Sequence, residues 1–260
     1  MIARHELGAR KSLGQHFLLD TNLTERIARL AGPLAGRHVI EVGPGPGGLT
    51  RALLAADPAS LTVVEIDPRA VAAMRELAAT DPRLHVLQAD ALALDLTTLA
   101  PPPRRIVANL PYNIATPLLI GWLRQAAAFE TMTLMFQQEV AERICATPQD
   151  GGAYGRLAVL TEWVCEVALL LRIPPTAFVP PPKVWSAVVG FTPRAVQPDP
   201  ALFATMERLT AAAFGQRRKM LRGSLKSLGG TALLDRAGID PQRRAETLTI
   251  AEFDHLARLL

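Results

Sequence analysis

Residues 38–50 read HVIEVGPGPGGLT, a short apolar run that leads into a glycine-rich segment. The apolar run has the length and composition of a buried β-strand. Gly43, Gly45 and Gly48 then match the pattern G-x-G-x-x-G, which in dinucleotide-binding folds joins a strand to the first turn of a helix. The stretch therefore predicts a strand, a tight turn and a helix beside a ligand site.

The same alternation of strand and helix continues along the chain. The apolar runs LTVVEI, LHVLQA, RIVANL and TMTLMF read as further strands, and PRAVAAMRELAA, with Asp67 as its cap, and EVAERICA read as helices. Strand, helix and strand in repetition indicate a parallel α/β sheet. Two more strands near residues 165–172 and 185–192 predict a hairpin-like finish at the sheet edge, whereas KSLGQHFLLD, before the first helix, reads as a loop.

A change of composition marks a second part of the chain. Three prolines in TPRAVQPDP, residues 192–200, indicate a linker. Beyond it, apolar residues recur at three- and four-residue spacing, which is typical of helices. We therefore predict a large α/β domain over residues 1–193 and a small helical domain over residues 194–260.

Bulk composition argues against several classes of protein. The chain has 260 residues, of which 49% are hydrophobic, and its longest apolar stretch, residues 158–171, is broken by Glu162 and Glu166. We expect no membrane span, no signal peptide and a cytoplasmic protein. Cys145 and Cys165 are too few for a disulfide scaffold or a four-ligand metal site, so we expect buried thiols and no metal.

Three acidic residues lie at the ends of the first three strands of this alternating pattern. Glu41, Glu65 and Asp90 would face the crevice that opens at the carboxyl ends of parallel strands. Pro44 and Pro46 remove backbone N–H groups that a pyrophosphate would need, which disfavours a nicotinamide cofactor and a dehydrogenase. S-adenosylmethionine fits better, because it is cationic, its ribose can donate to Glu65 and its adenine amine can donate to Asp90.

The next strand in that pattern ends in NLPYNIATPLL, residues 109–119. Proline and asparagine do not suit a strand interior, so polar groups are held here for a purpose. The Asn109 side-chain oxygen and the Leu110 carbonyl can hold both hydrogens of an exocyclic amine, and Tyr112 can stack on the attached base. Such an amine is a poor nucleophile, so positioning and charge stabilisation must supply the catalysis without a general base.

Taken in order, these segments resemble the S-adenosylmethionine-dependent RNA adenine N6-dimethyltransferases, especially those that act on small-subunit ribosomal RNA. The resemblance extends over almost the whole chain through GQHFLLD, EVGPGPGGLT, VVEIDPR, QADAL, NLPYNIATPLL, FQQEVAERICATPQDGGAYGRLAV, FVPPPKVWSAVV, QRRKMLRGSL and AETLTIAEF. It implies a Rossmann-like seven-stranded methyltransferase fold with an all-helical C-terminal domain. The implied reaction is four methyl transfers onto two adjacent adenosines in a hairpin loop near the 3′ end of the RNA, during small-subunit biogenesis. We expect a monomer that acts on the assembling subunit.

The resemblance also implies a site, residue by residue. The implied cofactor contacts are His16, Leu18, Gly43, Gly45, Glu65, Ile66, Asp90, Ala91 and Asn109. The implied contacts to the target amine and base are Asn109, Leu110, Tyr112 and Phe178, with Phe178 as a second aromatic wall. His16 departs from the family pattern, which often has asparagine there; a backbone contact would tolerate the change, whereas a side-chain contact would make binding weaker or pH-sensitive.

The charge pattern favours a polyanionic partner for the C-terminal part. The chain has 28 Lys and Arg against 24 Asp and Glu, with a pI near 9.5. We expect RNA contacts from five basic residues of QRRKMLRGSLK, namely Arg217, Arg218, Lys219, Arg222 and Lys226. A helix there would place positions 218, 222 and 226 on one face and turn Met220, Leu221 and Leu225 inward.

Two further functions compete with small-subunit methyl transfer. The first is a non-catalytic RNA-binding or ribosome-assembly factor that keeps the fold; the intact NLPY, Glu65 and Asp90 argue against it. The second is a relative that modifies large-subunit ribosomal RNA and confers antibiotic resistance. The segments ATPQDGGAYGRLAV and RRKMLRGSL disfavour that relative.

Overall fold

The fold is described from a computed structural model over residues 15–216 and 218–260. The chain forms two compact units, one of Met1–Ala141 with Ala168–Pro193 and one of Glu142–Val167 with Arg194–Leu260. Residues 142–167 thus group with the C-terminal part, although the predicted division places them in the α/β domain. The division of labour between a catalytic and an RNA-binding domain stays a prediction.

Nine strands occur in the described residues, and seven of them form one mixed sheet. The strands are β1 (Phe17–Leu18), β2 (His38–Val42), β3 (Ser60–Glu65), β4 (Leu84–Gln88), β5 (Arg104–Asn109), β6 (Thr131–Gln137), β7 (Cys165–Ile173), β8 (Phe178–Val179) and β9 (Ser186–Pro193). The large sheet has the order β4-β3-β2-β5-β6-β9-β7. Its strands β2 to β6 run parallel and β9 runs antiparallel to β6, which confirms the predicted Rossmann-like class. The last two predicted strands, β7 and β9, are neighbours at one edge of this sheet.

The segment predicted as a loop before the first helix contains a short strand. β1 pairs antiparallel with β8, so that Phe17 lies opposite Val179 and Leu18 lies opposite Phe178. Two residues are too few for a period-2 pattern, which is why the sequence does not indicate the strand.

The helices of the described part of the chain are α1 (Thr21–Leu30), α2 (Gly48–Ala55), α3 (Pro68–Ala78), α4 (Ala115–Leu123), α5 (Gln138–Ile144), α6 (Arg156–Val164), α7 (Pro200–Gly215), α8 (Leu221–Ser224), α9 (Gly230–Arg236) and α10 (Ile250–Arg258). None of these helices is both long and apolar enough to cross a membrane. Asp67 caps α3 as predicted, because its carboxylate accepts from the Arg69 backbone N–H and Pro68 follows it.

The core of the first unit lies where the sheet packs against its helices. Val39, Val63 and Val107 of three strands meet Leu53 of α2 and Met74 of α3, and all five are completely buried. Burying a side chain of this size contributes roughly 1.5 to 3 kcal/mol. Because the interiors of these strands are apolar, their polar residues collect at the strand ends.

The prediction of one helix through QRRKMLRGSLK is wrong. Met220 is extended, with φ −67° and ψ 156°, α8 is only four residues long, and residues 226–228 form a separate 3₁₀ turn. Positions 218, 222 and 226 therefore do not share a helical face. The chain turns at Gly229, whose φ of 107° is unfavourable for other residues.

Burial in this segment follows the prediction in part. Leu221 and Leu225 are completely buried, whereas Met220 is 38% exposed instead of turning inward. The basic side chains Arg218, Lys219, Arg222 and Lys226 are exposed, and Arg217 lies outside the described residues.

Candidate active site

The carboxyl ends of β2, β3, β4 and β5 border one cavity in the first unit. The predicted site residues that line it are His16, Leu18, Gly43, Gly45, Glu65, Ile66, Asp90, Ala91, Asn109, Leu110 and Tyr112. Residues that are up to 96 positions apart in the chain are thus brought to one place. The parallel order of the strands explains this, because it puts the ends of successive strands at the same edge of the sheet.

The glycine-rich loop packs closely against β1. A Cβ atom on Gly48 would lie 2.4 Å from the Leu18 carbonyl oxygen, and one on Gly45 would lie 3.0 Å from the Phe17 ring. Gly45 also has φ 52°, in the left-handed region. The loop therefore needs glycine at both positions to form the wall of the cavity.

Glu65 is held in one orientation by backbone donors. Its Oε1 accepts from the N–H groups of Ile66 and Asp67, both at 2.9 Å, and its Oε2 accepts from the Gly45 N–H at 3.3 Å. Burial raises the pKa of Glu65, and these three hydrogen bonds oppose that shift. The carboxylate keeps lone pairs for hydroxyl donors of a ligand.

Glu41 is a second carboxyl group that lines the cavity, and it is 1% exposed. Burial raises the pKa of Glu41 to about 8, although a hydrogen bond from the Thr50 hydroxyl, 2.7 Å away, lowers it, and the neighbouring charge of Glu65 raises it further. No cationic side chain pairs with Glu41 in the described residues. The carboxyl is therefore protonated near pH 7 as long as no positive charge lies beside it.

Asp90 follows β4 at the edge of the cavity. Its carboxylate accepts from the Leu92 backbone N–H at 2.9 Å and caps a short 3₁₀ turn, while the residue remains exposed. One oxygen is thus used to fix the loop. The other can accept from an amine in the cavity.

Asn109 and Leu110 stand at the end of β5. The Asn109 side-chain amide donates to the His16 carbonyl at 3.3 Å, which leaves the side-chain oxygen as an acceptor. Leu110 is 1% exposed and lines the same cavity. The two residues thus lie beside each other in the cavity wall, and their role as paired acceptors stays a prediction.

Tyr112 is fixed through both its ring and its hydroxyl. The ring stacks on the His16 imidazole, with centroids 5.5 Å apart and an interplanar angle of 28°. The hydroxyl lies 2.6 Å from Ser186 Oγ. Burial raises the pKa of Tyr112, so the phenol is neutral at physiological pH.

His16 contacts its neighbours through backbone and side chain alike. Besides the stack on Tyr112, its Nδ1 lies 2.9 Å from the Pro180 carbonyl oxygen. His16 thus joins the cavity wall to the segment that follows β8. Sequence reasoning places His16 beside a cofactor but misses these side-chain contacts.

The structure does not bring Phe178 to the cavity. Its ring is 2% exposed and lies in the core of the first unit, beside residues such as Leu18 and Val188. The β1–β8 pairing directs the ring inward. A role as second aromatic wall stays a prediction, and it requires the ring to leave this position.

Ser186 is a site residue that sequence reasoning misses. It lies in the segment FVPPPKVWSAVV, which carries the family resemblance, but nothing in the local pattern shows that its hydroxyl meets a tyrosine 74 positions earlier. Of the two cysteines predicted to be buried, Cys165 is buried and Cys145 is only partly buried. Burial raises the pKa of Cys145 to about 11 and that of Cys165 to about 12, so both thiols stay protonated.

Comparison with known proteins gives consistent matches. The family model "Ribosomal RNA adenine dimethylase" matches residues 7–260. "Ribosomal RNA small subunit methyltransferase A" of Gluconobacter oxydans is 63% identical over 259 residues, which are 99% of this chain and 85% of that protein. The protein of the same name from Paramagnetospirillum magneticum is 58% identical over 262 residues, covering 100% of this chain and 93% of that protein.

Two solved structures have the same architecture. A dimethyladenosine transferase from Plasmodium falciparum matches with a TM-score of 0.78 at 24% identity, over 93% of this chain and 96% of that chain. The 23S rRNA methyltransferase ErmE matches with a TM-score of 0.69 at 29% identity, over 94% of this chain and 99% of that chain. The first of these likenesses concerns the fold alone.

Proposed function

Because the chain belongs to the ribosomal RNA adenine dimethylase family, we propose that it uses S-adenosylmethionine to dimethylate the N6 amines of two adjacent adenosines in the 3′-terminal hairpin loop of small-subunit ribosomal RNA. One observation supports this above all others. Strand-end carboxylates and the Asn109–Tyr112 turn border a single cavity. Family membership also removes the dehydrogenase alternative.

The cavity fits the cofactor that the family uses. Glu41, Glu65 and Asp90 line it, and neither lysine nor arginine is among the described residues of its wall. The carboxylates of Glu65 and Asp90 disfavour an anionic pyrophosphate and favour a cation, and a cation beside Glu41 would in turn favour its ionised form. S-adenosylmethionine supplies an electrophilic methyl group on a sulfonium. In this cavity Glu65 would accept from the ribose hydroxyls and Asp90 would accept from the adenine amine.

Asn109, Leu110 and Tyr112 prepare the target amine. The Asn109 side-chain oxygen and the Leu110 carbonyl accept its two hydrogens, which aims the nitrogen lone pair and stabilises the positive charge that develops there. The Tyr112 ring supports the base by stacking, and its hydrogen bond with Ser186 and its stack on His16 keep the ring in place. This arrangement needs no side chain as general base.

The second unit supplies the electrostatic contact with RNA. None of the basic side chains Arg218, Lys219, Arg222 and Lys226 forms an ion pair within the described part of the chain, and all four are exposed. Together with Arg217 they can neutralise phosphates of an assembling small subunit. The protein then acts in the cytoplasm as a monomer.

Methyl transfer to isolated small subunits tests the proposal. Unmethylated subunits are incubated with the chain and tritiated S-adenosylmethionine, and the modified nucleotides are mapped. We expect dimethylation of two adjacent adenosines of the small-subunit RNA, and none with an Asn109→Ala variant. Tight binding without transfer would instead support the assembly-factor alternative, and label in large-subunit RNA would support the resistance-type relative.

A further inference from the structure

The segment from Val179 to Trp185 joins β8 to β9 and carries three exposed large apolar side chains. Val179, Val184 and Trp185 have exposed fractions of 56%, 44% and 49%. Lys183, between them in sequence, is exposed as well. Single exposed apolar side chains are normal on a protein surface, whereas three within seven residues, one of them an indole, form a candidate binding surface. We call this segment the β8–β9 ledge.

The first end of the β8–β9 ledge is fixed to the wall of the cavity. Val179 pairs with Phe17 in the two-stranded sheet, and the Pro180 carbonyl oxygen lies 2.9 Å from His16 Nδ1. Phe17 and His16 both line the cavity. The exposed apolar surface therefore begins beside the proposed cofactor site.

The second end is fixed to the proposed base site. The Trp185 carbonyl accepts a hydrogen bond from the Gln138 backbone N–H at 2.8 Å, which holds the backbone of the tryptophan. The next residue, Ser186, lies 2.6 Å from the Tyr112 hydroxyl through its Oγ. Trp185 is thus the residue directly before the one whose hydroxyl holds the proposed stacking ring.

The charge of the β8–β9 ledge itself selects among possible occupants. Residues 179–185 contain one charged residue, Lys183, and no acidic residue. An indole with a neighbouring lysine is the combination that binds an unpaired base and its phosphate. We propose that Trp185 is a stacking platform for the unpaired nucleobase next to the adenosine in the cavity, with Lys183 at its phosphate. This proposal rests on the proposed function and adds a second base site to it.

The chemistry of the substrate gives such a platform a purpose. The proposed RNA has two adjacent target adenosines, and the cavity presents one Asn109–Tyr112 turn for a target amine. While one adenine is extruded into it, its neighbour loses a stacking partner. An exposed aromatic ring outside the cavity can replace that partner. Trp185 then keeps the loop open between successive methyl transfers.

Binding of two RNA probes tests the platform. The first is a stem-loop with two adjacent adenosines in an unpaired loop, and the second is a fully paired duplex of equal length; both are labelled for anisotropy. Trp185→Leu is expected to weaken stem-loop binding by about 5- to 150-fold, the loss of one stacked base, and to leave duplex binding unchanged. Trp185→Phe keeps an aromatic ring and should bind the stem-loop within about threefold of the wild type. If the contact were apolar without stacking, the Phe and Leu variants should bind the stem-loop about equally well. Val196→Ser, at another exposed apolar side chain, is the matched control with unchanged binding.

Tryptophan fluorescence gives a second readout. Stem-loop RNA should quench the wild type, and the quench should vanish in Trp185→Leu, which keeps the buried Trp122 and the Trp163 that donates to Asp254. Lys183→Gln should lower the slope of log affinity against log salt by about 0.7 to 0.9.

Three results would overturn the platform. The first is wild-type affinity and methylation rate in Trp185→Leu. The second is an equal loss of affinity for both probes. The third is a dimer or a phosphatidylglycerol-vesicle complex that Trp185→Leu abolishes while stem-loop affinity stays unchanged. If the wild-type chain transfers no methyl group to small subunits, the proposed function itself fails, which is a distinct result.

Discussion

The phenol oxygen of Tyr112 lies 2.6 Å from Oγ of Ser186, which is completely buried. The two residues are 74 positions apart: Tyr112 precedes strand β6 in the chain, and Ser186 follows it. A buried hydroxyl without a partner is unfavourable by about 1 to 3 kcal/mol, so each of these residues stabilises the position of the other. Tyr112 is thereby held as a rigid support in the site.

Ser186→Ala should lower the rate of methyl transfer while leaving cofactor affinity unchanged. The reason is that the Tyr112 ring loses its anchor, and a loss of about 1 kcal/mol in positioning corresponds to roughly a fivefold slower single turnover. Quenched-flow turnover on small subunits and calorimetric titration with S-adenosylhomocysteine measure the two quantities. Tyr112→Phe and the double variant complete a cycle, and strictly additive effects would show that the hydrogen bond has no part in catalysis.

Asn109→Ala should abolish methyl transfer and leave RNA binding nearly intact. Its oxygen is proposed to hold the target amine, and it does not contact phosphates. Cofactor affinity is expected to fall somewhat, because the side chain also donates to the His16 carbonyl in the cavity wall. Filter binding of subunits and a single-turnover assay separate these effects. Turnover within threefold of the wild type would make the residue a structural one.

Glu41 should make stability fall as pH rises. Burial raises the pKa of Glu41 from 4.5 to about 8, so the folded chain keeps a proton that the unfolded chain releases. Its stabilisation is complete below pH 4.5 and is lost as pH rises to about 8. In Glu41→Gln the free energy of unfolding should fall less over this range, as measured by urea denaturation at several pH values.

Glu130→Gln is the matched control for that measurement. Hydrogen bonds from Arg37 and Arg105 lower the pKa of Glu130 from 4.5 to about 2, so its contribution is complete above pH 4.5 and is lost as pH falls from there through about 2. Above pH 4.5 the folded and unfolded chains both carry the ionised form. Glu130→Gln should therefore be less stable than the wild type by the same amount at every pH above 4.5. If the stability of Glu41→Gln falls with rising pH as steeply as that of the wild type, the raised pKa does not belong to Glu41.

Cofactor binding should release a proton from the same carboxyl. A cation in the cavity favours the ionised form of Glu41, so binding at pH 7 is expected to release up to one proton. Titrations with S-adenosylmethionine in two buffers of different ionisation enthalpy measure this number. Glu41→Gln should reduce it, whereas equal release by both proteins would place the proton elsewhere.

Changing Arg218, Arg222 and Lys226 together to Gln should weaken subunit binding and flatten its salt dependence by about two to three units. The expectation rests on their exposure and charge, since they do not share a helical face. Cofactor affinity should stay unchanged, because the described residues of the cavity wall all belong to the first unit. A wild-type salt slope in the triple variant would show that this segment does not contact the RNA.

The fold was predictable because its signals are local. Each strand from β2 to β6 is an apolar run, a helix follows every one of them except β4, and residues such as Pro68 mark where helices begin. Parallel topology then brings Glu65, Asp90 and Asn109 together without any knowledge of distances. The location of the cavity could therefore be predicted from the parallel arrangement of the strands, without knowledge of any single contact.

What the sequence conceals are contacts between distant segments and departures of the backbone from regular spacing. The contacts of Tyr112 with His16 and Ser186 connect three segments that have no shared periodicity. In QRRKMLRGSLK the spacing of basic residues matches a helix, but Met220 is extended and Gly229 turns the chain. The buried position of Phe178 likewise depends on its pairing with Leu18.

The pairing of Phe17 with Val179 has a consequence for anyone who remodels this enzyme by loop grafting. A slip of one residue in so short a pairing would turn Phe178 out of the core and move Pro180 away from His16 in the same step. An insertion near residue 16 and an insertion near residue 180 would therefore disrupt the same contacts, although 164 positions separate the two residues. The two segments must be transplanted as a pair.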